Sequence, residues 1–194
     1  MAKGSRGGKV SSSGKASAAT QALGRKGKPI PMETAINSVN PNYGQGREYS
    51  LNCQRCIYAY EMQRRGYDVE ALPRILKGQD KASENWDRIM DGQTWEHVGR
   101  TQNQVKNGLL DKMADYGDGA RAAIYVSWKG RRSAHVFIAE QQNGGTVFLD
   151  PQTQEYINIS SYLSRSSPAK TKISRLDNLQ PTELITECVK KRGK

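Results

Sequence analysis

At 194 residues the chain is long enough for one domain with a real core and too short for two comfortable ones. Its formal net charge of +11 is uneven: Met1 to Lys28 carries seven basic residues and no acidic one, which leaves 23 basic against 19 acidic, a net of +4, on the rest. No apolar run approaches the roughly 20 residues of a membrane span, and the basic N-terminus lacks the apolar stretch of a secretory signal, so a spanning or Sec-exported protein is not expected.

The segment 1–28 sets its basic residues among Gly, Ser and Ala, with Val10 and Leu23 as its large aliphatic residues besides Met1. Too little apolar surface is available there to offset the entropy of ordering, so 1–28 reads as a disordered basic arm. Such an arm either makes nonspecific nucleic-acid contact or attracts an acidic partner, or it is a solvated tail. It has no interleaved aromatics to stack bases. Residues 29–48, with Pro29, Pro31 and Pro41, read as a lead-in to a domain over 49–194.

The strongest helix pattern covers Asn52 to Arg65. Cys53, Cys56, Ile57 and Tyr60 follow the i, i+3, i+4, i+7 spacing, Asn52 suits the N-cap, and Gly66 is a natural stop. Helices are also expected over 82–90 and 98–116. From Ala120 the period changes to that of strands. Residues 123–128, 135–140 and 146–150 form an expected antiparallel meander, turning at Lys129–Arg132 and Asn143-Gly144. A short strand piece at 156–159 and a C-terminal helix over 181–191 follow, the latter carrying Leu184, Ile185 and Val189. Helices first and sheet second is an α+β order.

Cys53, His135 and Asp150 are the chemical candidates. A helix N-terminus favours a thiolate, and Cys53 falls in the first turn of the expected helix. His135 opens one strand and Asp150 closes the next, so a hairpin brings them side by side. A carboxylate beside an imidazole fixes its tautomer and supports its protonated form, which completes a nucleophile, base and orienter set for acyl transfer. Cys56, one turn inside the helix, reads as a small buried apolar residue. Cys53-x-x-Cys56 as half a zinc site lacks a second paired spacing, because only Cys188, His97 and His135 remain. A redox pair would need a βαβ context that is absent. No metal or cofactor is expected. The odd count of three cysteines suits a reducing compartment, so the protein is expected to be cytoplasmic where it is made.

These residues resemble a family. Tyr49-Ser50-Leu51-Asn52-Cys53-Gln54-Arg55-Cys56, with the helix ending Arg64-Arg65-Gly66-Tyr67-Asp68-Val69, is similar to the opening of the papain-fold toxin domains described as glutamine deamidases. His135-Val136-Phe137 and Val147-Phe148-Leu149-Asp150-Pro151-Gln152 resemble that family's histidine strand and Asp-Pro-Gln strand end. Arg175-Leu176-Asp177-Asn178-Leu179 resembles a branch associated with phage heads. The resemblance implies a papain-like fold with Cys53 as nucleophile, His135 as base and Asp150 as its partner. Asn52 and Gln152 are implied near the oxyanion or the substrate amide.

The function implied is deamidation of glutamine in a target protein. A protease remains open as an alternative, as does a non-catalytic structural or binding module of a phage particle that contacts head or portal proteins. Delivery into a target cell, or residence in a virion, is expected to depend on another protein.

Overall fold

The computed structural model describes residues 18–24 and 26–193. Over residues 1–17 the expected basic arm lies outside them. Residues 18–24 and 26–28 of the segment expected as an arm are described. Ala18–Ala22 forms helix α1, which packs against the 3₁₀ turn Glu183–Glu187, and Leu23 is buried in the core. One large aliphatic side chain is enough to anchor this piece because the backbone after it is also fastened. The Gly27 N–H donates to Gly66 O at 2.7 Å, and the Ile30 N–H donates to Gln63 O at 3.0 Å. Gly66, at φ +99°, is required there, since a Cβ would stand 2.3 Å from Gly27 O. The lead-in contains helix α2, Met32–Ser38, which follows Pro31 and buries Ala35 and Ile36.

Helix α3, Cys53–Arg64, is the expected long helix, but it is not amphipathic. It is buried on every side from Arg55 to Gln63, as befits a helix at the centre of a core. Its polar residues survive burial because each is paired. The Arg55 guanidinium meets Asp80 at 2.6 Å, and Gln63 donates to Val69 O at 2.7 Å. Glu61 takes Arg65 at 2.6 Å and Arg121 at 2.6 Å.

Strand β1, Val69–Ala71, is followed by the four-residue helix α4, Lys81–Glu84. Residues 82–90 were expected to be helical throughout; beyond Glu84 they are turn, and Met90 bridges Pro181. The two-residue strand β2, Glu96–His97, leaves His97 exposed. Helix α5, Gln102–Tyr116, carries a full capping box from Thr101 and Gln104. The expected meander is present as β3 Arg121–Ser127, β4 Ala134–Gln142 and β5 Gly145–Asp150. Then come β6 Glu155–Tyr156, helix α6 Ile159–Arg165 and β7 Lys172–Arg175. The expected C-terminal helix is replaced by the 3₁₀ turn Glu183–Glu187 and by β8, Val189–Lys191, which pairs antiparallel with β1.

The main sheet is antiparallel with strand order β2-β7-β3-β4-β5-β6. Side chains alternate between its faces. Ala123, Val136, Ile138 and Leu149 join the core built around α3, while Ile124, Phe137, Phe148 and Ile173 pack against Val105, Leu109 and Met113 of α5 and Leu163 of α6. Helices on both faces explain why β4 is buried without a break from Val136 to Gln141. The architecture is therefore α+β: a central helix, an antiparallel sheet and a second helical layer. The C-terminal end of α3 is riveted to the sheet through Glu140, which meets Arg64 at 2.5 Å and accepts from the Tyr60 hydroxyl at 2.5 Å. Its other end points Cys53 at the open end of β4.

Candidate active site

Three local devices bring the chemistry together. Asn143 and Gly144, both at positive φ, make a two-residue turn that joins β4 to β5 with Gln142 opposite Gly145. From that register Ile138 lies opposite Leu149, so His135 and Asp150 fall on one face as diagonal neighbours. Their side chains meet, with His135 Nε2 to Asp150 Oδ2 at 2.6 Å. The third device is the N-terminus of α3, which starts at Cys53.

Asp150 is buried and fixed from three directions. Its Oδ1 accepts from the Gln152 N–H at 3.0 Å in the turn after β5. Its Oδ2 accepts from His135 and from the Tyr162 hydroxyl at 3.0 Å. Tyr162, on α6, is a site residue the sequence reading missed. Asn158, which caps α6 by accepting from the Ser161 N–H, and the Ile159, Leu163 spacing were the available signals. Burial and the neighbouring Asp150 charge together push the Tyr162 phenol upward, so it donates as a neutral hydroxyl.

His135 is hydrogen-bonded to Asp150 and lines the same cleft as Cys53. With Nε2 committed to the carboxylate, Nδ1 is the ring nitrogen left for proton exchange. Burial pulls the imidazole toward its neutral form, but the bond to Asp150 and the neighbouring Cys53 outweigh that cost and raise it to about 10. Trp128 stacks over the ring at 6.0 Å between centroids, and Phe137 and Tyr162 close the remaining sides. Aromatic walls hold the ring in its plane and keep water from competing for its nitrogens.

Cys53 is half-buried and lines a cleft of about 550 Å³ together with Ser50, Leu51, His135 and Gln152. Cys56 and Cys188 are buried, and burial pushes both thiols up, Cys188 to about 12. Cys56 donates its S–H to Asn52 Oδ1 at 3.3 Å.

Asn52 is the residue whose expected place changes. It occupies the N-cap position but makes no side-chain cap bond. Its Nδ2 donates to Asn40 Oδ1 at 3.2 Å and to Leu72 O at 3.1 Å, and the side chain lies inside the protein. Both amide protons are used, so Asn52 is a structural tie and its side chain has nothing left for an oxyanion. Asn40 completes the tie by donating to Tyr49 O at 3.0 Å and to Gln152 O at 2.9 Å. The chemical consequence is useful. With its cap side chain turned away, the first N–H groups of α3 beside Cys53 are left to whatever enters the cleft.

The arrangement is a thiol at a helix tip without a side-chain cap, an imidazole bonded to a fixed carboxylate, and a polar amide, Gln152, all lining one cleft except the carboxylate behind the imidazole. Such a set can form and hydrolyse a thioester. The sequence matches the family model described as papain fold toxin 1, glutamine deamidase, over residues 51–155, more than half of the chain and including all of Cys53, His135, Asp150 and Gln152. That stretch stops short of Arg175–Leu179, which carried the phage-head resemblance. Among solved structures the chain is similar to the Salmonella effector SpvD, G161 variant, at 15% identity and a TM-score of 0.49, covering 77% of this chain and 80% of that one. No curated protein matches the sequence. The fold is papain-like, and the chain belongs to the papain-fold toxin family of glutamine deamidases.

Proposed function

We propose that the protein hydrolyses the side-chain carboxamide of glutamine in a target protein, acting as an effector inside the cell that receives it. The observation that carries this reading is His135 bonded to Asp150 at 2.6 Å in the cleft that Cys53 lines from the tip of α3. Family membership supports the choice of amide.

The steps follow from the geometry. With its proton held on His135, the Cys53 sulfur attacks the carboxamide carbon, and the carbonyl electron pair moves to oxygen. The helix-tip N–H groups stabilise that oxyanion, with Gln152 lining the same cleft. Collapse of the intermediate breaks the C–N bond, and the proton on His135 goes to the departing nitrogen, which leaves as ammonia. Neutral His135 then takes a proton from water, whose oxygen attacks the thioester. Breaking the C–S bond releases glutamate and restores the sulfur and the imidazolium. Asp150 keeps the ring oriented and supports its charge throughout.

Intact-mass measurement of host proteins after incubation separates the outcomes. Deamidation gives a gain equal to replacing amide NH₂ by OH, with no fragments. Fragmentation instead would show peptide-bond cleavage by the same residues, and an unchanged mass across candidate targets would remove the catalytic reading.

A further inference from the structure

The cleft over Cys53 is walled by cations. Arg74 lines it together with Arg131 and Arg132 of the β3–β4 turn. A second hollow, of about 510 Å³, shares Trp128 and Arg131 with the first and adds Lys129 and Arg165. The two hollows thus form one trough that starts at Cys53 and passes over Trp128. All five cationic side chains are exposed, none forms a salt bridge among the described residues, and no carboxylate lines either hollow. Arg55, Arg64, Arg65 and Arg121, by contrast, are each paired closely with a carboxylate. The five cations of the trough are left without a carboxylate.

Two of the walls are built rather than floppy. The Arg165 guanidinium lies over the rings of Trp128 and Tyr162, at 5.5 and 5.0 Å from their centroids, which fixes it on the same aromatic cluster that holds His135. The loop carrying Arg74 is pinned by the bond from the Arg74 N–H to Glu48 O, 2.9 Å. A low-dielectric aromatic floor beneath charges of one sign focuses their field along the trough.

We propose that this trough selects its substrate: the glutamine it presents to Cys53 lies in an acidic protein segment whose carboxylates run along Arg131, Arg132, Lys129 and Arg165. The assignment rests on the proposed amide chemistry, which makes the occupant a polypeptide. Arginine forks suit carboxylates in two-point contact.

Full-length protein carrying Cys53→Ala is titrated with three fluorescent probes: a glutamine peptide flanked by glutamates, the same peptide with serine in place of each glutamate, and a single-stranded oligonucleotide of equal charge. The acidic peptide is expected to bind about tenfold or more tighter than the serine peptide, and that advantage should shrink as salt rises. It should be lost in an added Arg131→Ser/Arg132→Ser pair with an unchanged melting temperature. Equal binding of the two peptides, tighter binding of the oligonucleotide, or indifference to the double substitution overturns the assignment. Because the readout is binding, its failure is separable from that of the amide chemistry. Wild-type protein that releases no ammonia yet prefers the acidic peptide would sink only the deamidation, and an active enzyme with equal binding would sink only the acidic trough.

Discussion

Tyr162 and His135 bond to the same oxygen, Oδ2 of Asp150, at 3.0 and 2.6 Å. The phenol of α6 and the imidazole of β4 thereby share one acceptor, and the carboxylate's position depends on both. Tyr162→Phe keeps the ring that packs on Phe137 and His135 but removes the donor. Turnover should fall several-fold while KM changes little, with about 1 kcal/mol lost in stability. Steady-state kinetics and thermal melting of the variant check this, and an unchanged kcat would show that Asp150 needs no second support.

The protonation of His135 sets the alkaline behaviour. Because Asp150 and Cys53 raise the imidazole to about 10, its proton remains available to departing ammonia well above the ordinary imidazole value of 6.5. In a profile of kcat/KM against pH, the descending limb should lie near 10, and Asp150→Asn should move it down by removing the anionic partner. Stability follows the same sign. The contribution from this bond is fully present below 6.5, where the imidazole is protonated folded or unfolded, and is lost as pH rises through about 10. A limb that stays in place in Asp150→Asn would remove the carboxylate from this role.

The two thiols of the Cys53-x-x-Cys56 pair should separate by alkylation. Cys53 borders the cleft, whereas Cys56 is buried, carries a thiol raised by burial, and is tied to Asn52. Iodoacetamide at neutral pH is expected to label Cys53 first and to abolish turnover in step with that labelling. Earlier labelling of Cys56, read by peptide mass mapping, would contradict the placement of the nucleophile.

Glu140 is fully buried beneath Tyr60 and Arg64. Removing it in Glu140→Ala leaves the Arg64 guanidinium without its carboxylate and should cost about 3–5 kcal/mol. Chemical denaturation measures the loss. A midpoint close to wild type would mean that Arg64 finds enough support from Ile30 O, to which it also donates at 2.6 Å.

The site was legible in the sequence because its geometry is made locally. A two-residue Asn143-Gly144 turn dictates a register, and that register alone puts His135 beside Asp150. Cys53 was legible because α3 has a clear start. Elements that depend on distant partners were not. Lys172–Arg175 is four residues with no strong alternation, and it becomes a strand because β3 offers an open edge. Leu184, Ile185 and Val189 have helix-like spacing, yet β1 recruits Val189–Lys191 as a strand. Asn52 reads as a cap from its type and position, but Asn40 and Leu72 compete successfully for its amide. The uniform burial of α3 was also hidden, since the pairing of Glu61 with Arg65 and Arg121 makes a polar face compatible with a core.

The most direct test is ammonia release from a glutamine-bearing target by Cys53→Ala and His135→Ala, singly and combined, with circular dichroism as the folding control. If Cys53, His135 and Asp150 act as one unit, each single substitution brings turnover close to background and the double costs little more. The variants should remain folded, because both side chains line the cleft. Ammonia release at the wild-type rate by folded Cys53→Ala would contradict the account.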